Sequence, residues 1–174
     1  MQTIIGFEIS RPYPYKPQVM HLSDMYQRPG FLLRRAHQIS AAIFEAACAD
    51  LELTQAQYGA LTVLASEPGI DQTRLARALA FDKVTVLRVL RGLEARGFVA
   101  REVSDTSRRQ MAVRLTPSGQ ACLKKAEMPV HDAYEQLMAP LDAHQRAQFV
   151  ALLQAMTDGL NAQARASFVP LSQV

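Results

Sequence analysis

The sequence predicts a mainly α-helical fold carrying one small β-hairpin. Three features lead there. Apolar residues recur three and four positions apart from Phe31 through most of the chain. The period shortens to two only between Phe98 and Leu115. Polar capping residues stand at the heads of the helical segments, two of them with a glutamine three positions later.

Taken in order, residues 1–27 read as an arm. Pro12, Pro14 and Pro17 make "RPYPYKP" an extended stretch, and "TIIGFEI" offers a short strand or turn. From Phe31, "FLLRRAHQISAAIFEAACADL" places Leu32, Ala36, Ile39, Ile43 and Ala46 on one stripe. Leu33, His37, Ala41, Phe44 and Cys48 form a second, the pattern of a helix buried on more than one side. Thr54 and Gln57 make a capping box for the next helix, which Pro68–Gly69 stops. A short helix starts near Asp71, and a tight turn at Ala80–Phe81 leads to a helix capped by Asp82 and ended by Gly97. Two β-prone runs, Phe98–Val103 and Gln110–Leu115, flank the polar "SDTSRR" as a hairpin with an exposed tip. Thr116 caps a helix with Pro117 at its first position, and Pro129 should kink or break it. Asp142 and Gln145 start the last helix, whose apolar side carries Phe149, Leu152, Leu153, Met156 and Leu160. Helix, short helix, turn, helix, hairpin is the order of a winged helix-turn-helix.

Composition narrows the function. The 174 residues suit one domain, or one domain with long arms, and 49% are hydrophobic, enough for a core. No apolar run approaches the ~18 residues of a membrane span. The N-terminus lacks a basic region before its short apolar stretch, so no secretion signal is expected. Cys48 and Cys122 are too few and too far apart for a metal cluster or disulfide framework. These features point to a cytoplasmic protein. His21, His37, His131 and His144 show no HExxH spacing, and GxSxG and Gly-rich phosphate loops are absent. Neither catalysis nor a cofactor or metal is expected.

The net charge of +3 is unevenly spread. Residues 71–116 hold ten basic and five acidic side chains, against nine and eleven elsewhere. A basic middle suggests a polyanion-binding segment. Within "FDKVTVLRVLRGLEARGFVARE", Val86, Val89, Leu90 and Leu93 would hold the helix to its domain. Lys83, Thr85 and Arg88 would then face outward near the helix N-terminus, where a recognition helix meets base edges and phosphates. Thr85 and Arg88 are the base readers of this scheme, and Lys83 a phosphate contact. Arg91 is read either as a DNA contact or as a surface ion pair. Arg108 and Arg109 supply one DNA contact and one brace for the wing. Arg74 and Arg77 read as solvated helix charges. Cys48 sits on a buried-looking stripe with nothing nearby to activate it, so it reads as structural rather than redox-sensing. The alternative reading is a winged helix that contacts protein only, without DNA readout.

The stretches "LTQAQYGALTVLA", "TRLARALAFDKVTVLRVLRGLEARGFVARE" and "SRRQMAVRLTPSGQ" resemble the MarR family of transcriptional regulators. The resemblance spans about residues 30 to 165, with the run from Leu75 to Gly119 the specific part. Two departures stand out. Ser107 occupies the place of the family's wing Asp, with Asp105 two residues earlier, and Val84 and Leu87 replace small hydroxyl residues. Val84 thereby becomes a candidate contact to a thymine methyl. The resemblance implies a homodimer on a pseudo-palindromic double-stranded operator, with 28–52 and 117–168 as dimerisation helices and 53–116 as the DNA-binding lobe. It also implies a small aromatic acid as effector, bound between dimerisation helices and DNA-binding lobe and releasing a repressor from DNA. "RPGFLLRRAHQIS" is similar to the first helices of aromatic-acid and nicotinate-pathway repressors, which makes 6-hydroxynicotinate the expected effector type. Such a pocket needs a cation or donors for the carboxylate and apolar walls for the ring. Arg34, Arg35, His37 and Tyr58 are the candidates, with Phe44 as a wall.

Overall fold

The computed structural model describes residues 21–104 and 107–171, and of these 103–104 and 107–110 by backbone only. The arm expected over 1–27 lies outside the described residues as far as position 20. Its end is a short helix, α1 (Leu22–Tyr26). The chain forms two compact units, Met1–Ala36 and His37–Val174, divided within helix α2 (Pro29–Ala47). In the first unit the Tyr26 and Phe31 rings lie 5.1 Å apart, and the Arg34 guanidinium sits over Phe31.

The second unit is built around α3 (Gln55–Ser66), which packs against α5 (Lys83–Ala95), α6 (Pro117–Met138) and the sheet. Its start follows directly from sequence. Thr54 accepts the Gln57 backbone N–H while the Gln57 side chain accepts that of Thr54. This reciprocal cap satisfies donors that a helix N-terminus leaves open. Leu61, Leu64, Leu75, Leu90 and Leu93 are fully buried together with Val86, Ile70 and Val113. Each such leucine contributes about 1.5–3 kcal/mol of burial.

The sheet has three antiparallel strands in the order β1-β3-β2. β2 (Val99–Ser104) and β3 (Ser107–Leu115) form the expected hairpin. The connection is shorter than "SDTSRR" suggested, because Ser107–Arg109 already belong to β3. β1 (Ile70–Asp71) was not expected; it pairs Ile70 with Val113 and Asp71 with Ala112.

Two expectations are corrected. α2 is not buried on both stripes: Phe44 and Cys48 reach the core, whereas Leu32, Leu33 and Ile39 are exposed. Nor does Pro129 break α6, which runs unbroken from Pro117 to Met138. Ala126 before the proline and Ala133 and Met138 after it are buried, so packing on both sides offsets the missing N–H. α7 (Ala143–Gly159) follows, with Asp142 and Gln145 in the expected reciprocal cap and no residue buried. Arg146 fixes the α6–α7 turn by donating to Met138 O, Leu141 O and Glu135.

Arg96, one of the ten basic residues of 71–116, stands at the C-cap of α5. Its two terminal nitrogens donate to Leu51 O at 2.6 Å and Glu52 O at 2.7 Å, and its guanidinium lies over the Phe98 ring. These carbonyls end the 3-10 turn Ala49–Leu51, where Glu52 adopts a left-handed φ of 47°. Arg96 thus ties the chain leaving α2 to the end of α5. Arg96→Ala is expected to cost about 2 kcal/mol, the worth of a charge-assisted hydrogen bond after solvent screening of the exposed half. Urea unfolding measures it; an unchanged midpoint would show that the tie carries no stability.

Candidate nucleic-acid interface

α4 (Gln72–Ala78), a turn and α5 make the helix-turn-helix. Asp71 caps α4 by accepting the Thr73 and Arg74 N–H groups at 2.8 and 3.0 Å. The chain then reverses through Ala80, whose φ of 51° is left-handed, and Phe81 donates its N–H to Ala76 O. Asp82 caps α5 by accepting the Thr85 N–H at 2.7 Å. That backbone bond, a side-chain bond from Thr85 and the charge of Arg88 hold the Asp82 carboxyl below its ordinary range. The cap is therefore charged at neutral pH, where it complements the positive end of the helix.

α5 divides as its sequence implies. Val86, Val89, Leu90 and Leu93 are buried. Lys83, Val84, Arg88 and Arg91 are exposed, and Thr85 is half-buried beside them. Val84 is 75% exposed, an unusual setting for a β-branched side chain with nothing to pack on.

Of the other basic side chains described in the lobe, Arg77 is exposed and makes no ion pair among the described residues, while Arg74, Arg96, Arg101 and Arg114 have partners. Arg74 is a solvated helix charge, as expected, and also pairs with Glu67. Arg101 Nε lies 3.3 Å from Glu94, near enough for attraction though not aligned as a hydrogen bond. Arg114 lies 3.7 Å from Glu102, and Arg96 is held on carbonyls. Among the described residues, Lys83, Arg88 and Arg91 make no ion pair, which leaves open charge on the outer face of α5. For Arg91 the ion-pair alternative is thereby absent among those residues. Arg108 and Arg109 occupy the start of β3, next to the hairpin connection, and their side chains lie outside the described residues.

The effector candidates divide between the two units. Arg34 and Arg35 are exposed in the first. In the second, His37 is exposed, and the Phe44 ring meets half-buried Tyr58 with centroids 5.8 Å apart. Two clefts lie elsewhere. One of about 500 Å³ is lined by Leu64, Arg114, Leu123 and Lys124, and one of about 420 Å³ by Ala80, Met156, Leu160 and Phe168. Burial pushes the thiols of Cys48 and Cys122 up, the direction that makes them inert. No helix among the described residues is long and apolar enough to cross a membrane.

Comparison with known proteins places this geometry. The MarR family model matches residues 51–110. The HTH-type transcriptional repressor NicR of Pseudomonas putida is 33% identical over 135 residues, 78% of this chain and 85% of the relative. The structure of Bordetella bronchiseptica BpsR, whose DNA binding is regulated by 6-hydroxynicotinic acid, is 30% identical. It superposes with a TM-score of 0.74 over 81% of this chain and 99% of that one. The Mycobacterium tuberculosis MarR family protein Rv2887, solved in complex with DNA, is 31% identical with a TM-score of 0.58 over 74% and 97% of the two chains. With the exposed face of α5 and relatives of this identity matched over most of their length, the chain belongs to the MarR family of DNA-binding transcriptional regulators, which are not enzymes.

Proposed function

We propose that this chain acts as a homodimeric repressor that leaves a pseudo-palindromic operator when it binds a small aromatic carboxylate. The carrying observation is α5: a cationic outer face without ion pairs among the described residues, fixed from behind by four buried aliphatic side chains. In this reading Arg88, Thr85 and Val84 face base edges, Lys83 and Arg91 face phosphates, and Arg108 and Arg109 reach the backbone or minor groove from the wing. Residues 53–116 form the DNA-binding lobe, and 28–52 with 117–168 the dimerisation helices. Exposed Leu32 and Ile39 on α2, and Phe149, Leu152 and Leu160 on or beside α7, support a covering second copy. Among the effector candidates, Phe44 and Tyr58 offer an aromatic wall and His37 an exposed donor; Arg34 and Arg35 are carried as the candidate cations from the sequence. The likeness to BpsR makes 6-hydroxynicotinate the first compound to try.

The mechanism is a population shift: effector favours a spacing of recognition helices that no longer matches two successive major grooves. A coupling of about 1–3 kcal/mol changes DNA affinity some 5- to 150-fold. The test is fluorescence anisotropy on DNA from upstream of the protein's own gene, with a scrambled duplex beside it, over a salt series. Sequence-preferring binding that weakens steeply with salt is expected, because phosphate neutralisation releases counterions. Equal, weak binding to both duplexes would favour a protein-contact role. Operator affinity that stays constant at saturating 6-hydroxynicotinate removes that effector.

A further inference from the structure

We propose that residues 164–171 are a strap that holds the α4–α5 turn and makes α7 a positioning element for the recognition helix. After α7 and the 3-10 turn Asn161–Gln163, Ala164 turns the chain extended. It then runs back to the helix-turn-helix, distant in sequence. There the Val169 N–H donates to Arg77 O at 3.0 Å. Arg77 O also accepts the Ala80 N–H at 3.3 Å, so one carbonyl holds both the strap and the turn. Leu171 packs, partly buried, against the central core.

The turn has reason to need such a hold. Ala80 is a non-glycine residue in the left-handed region, a conformation that persists only where its surroundings enforce it. Its own helix, α4, is seven residues long and too short to impose it alone. The neighbouring cleft of about 420 Å³, between Ala80 and Met156, Leu160 and Phe168, leaves open space beside the strap. Since the strap continues from α7, a displacement of α7 is carried to the turn from which α5 departs. Val169 and Leu171 are thus positioning residues: neither lies on the outer face of α5. The consequence for DNA rests on the function proposed above; the hold on the turn does not.

Two full-length variants test this. Val169→Pro removes the donated N–H, and Leu171→Ser removes the apolar anchor. Amide hydrogen exchange should rise about 10-fold over residues 77–82 in each, the scale of one lost hydrogen bond, while the amides of α3 and α5's buried face keep their protection. Affinity for the preferred duplex relative to the scrambled one should fall several-fold with the salt slope unchanged, because positioning affects base readout more than phosphate contact. Unchanged exchange over 77–82 in both variants overturns the strap. Raised exchange with an unchanged affinity ratio overturns its role in positioning α5. If even the unaltered chain shows no sequence preference, the DNA reading fails, and exchange alone decides whether the strap holds the turn.

Discussion

Gly119→Ala should destabilise this protein by about 3 kcal/mol or more, although it adds one methyl group to a helix. Gly119 is buried in the first turn of α6, and a Cβ there would land on the carbonyl oxygen of Phe98. That oxygen belongs to backbone with little freedom. Phe98 O accepts the Thr116 N–H at 3.0 Å, the Thr116 hydroxyl donates to Gly97 O at 2.6 Å, and the same hydroxyl accepts the Gly119 N–H at 3.0 Å. The end of α5, the start of β2 and the cap of α6 therefore meet at one point. Relieving the overlap means opening the cap or moving β2, and the gain of about 1 kcal/mol from alanine's helix propensity does not offset that. Gly92→Ala is the internal comparison. Its Cβ would meet only the end of the Gln57 side chain, at 3.2 Å, and shifting that amide loosens the Thr54 cap at most, so a cost of no more than about 1 kcal/mol is expected. Urea denaturation of both variants checks the contrast. Equal midpoints would mean that the α5–β2–α6 junction is softer than its hydrogen bonds indicate.

The legibility of this fold followed how locally each feature is encoded. The starts of α3, α4, α5, α6 and α7 were readable because a cap is written in four consecutive residues: Thr54 with Gln57, Asp71, Asp82, Thr116, and Asp142 with Gln145. The inner face of α5 was equally plain, since Val86, Val89, Leu90 and Leu93 recur at helical spacing. Features that depend on distant partners were not legible. β1 is two residues long, below any period, and exists because Val113 is there to pair with Ile70. Arg96 looked like one more surface cation because Leu51 O and Glu52 O lie more than forty residues away. The strap was silent for the same reason. Pro129 misled because its local cost is real, while the packing that offsets it is tertiary. α2 misled differently. Both apolar stripes are present, but only the C-terminal end of one, at Phe44 and Cys48, is buried, and a sequence records apolarity without saying how much of it the fold covers. For the outer face of α5, the sequence carried the cations and their spacing; the structure added that Arg74, Arg96, Arg101 and Arg114 have partners of their own.

Arg88→Ala should weaken binding to the preferred duplex by about 5- to 150-fold, the 1–3 kcal/mol worth of one good base contact, while leaving the fold intact. Both halves follow from where Arg88 stands. It is exposed, makes no ion pair among the described residues and is not one of the buried residues of α5, so its loss opens no cavity. Its charge helps to hold the Asp82 carboxyl low, but the Thr85 N–H does most of that and remains. The N-cap, and with it the start of α5, should therefore survive at neutral pH. Lys83→Ala separates specificity from attraction. If Lys83 meets only phosphate, its loss should weaken both duplexes alike and reduce the salt slope by about 1, with the ratio between them unchanged. Arg88→Lys is the sharper variant, because it keeps the charge and removes the planar fork that pairs with guanine. Anisotropy titrations of the three variants on both duplexes give the answer. A ratio that falls in Arg88→Lys as far as in Arg88→Ala assigns Arg88 to a base edge. A ratio that Arg88→Lys fully preserves assigns it to the backbone, and sequence reading then passes to Thr85, Val84 and the wing.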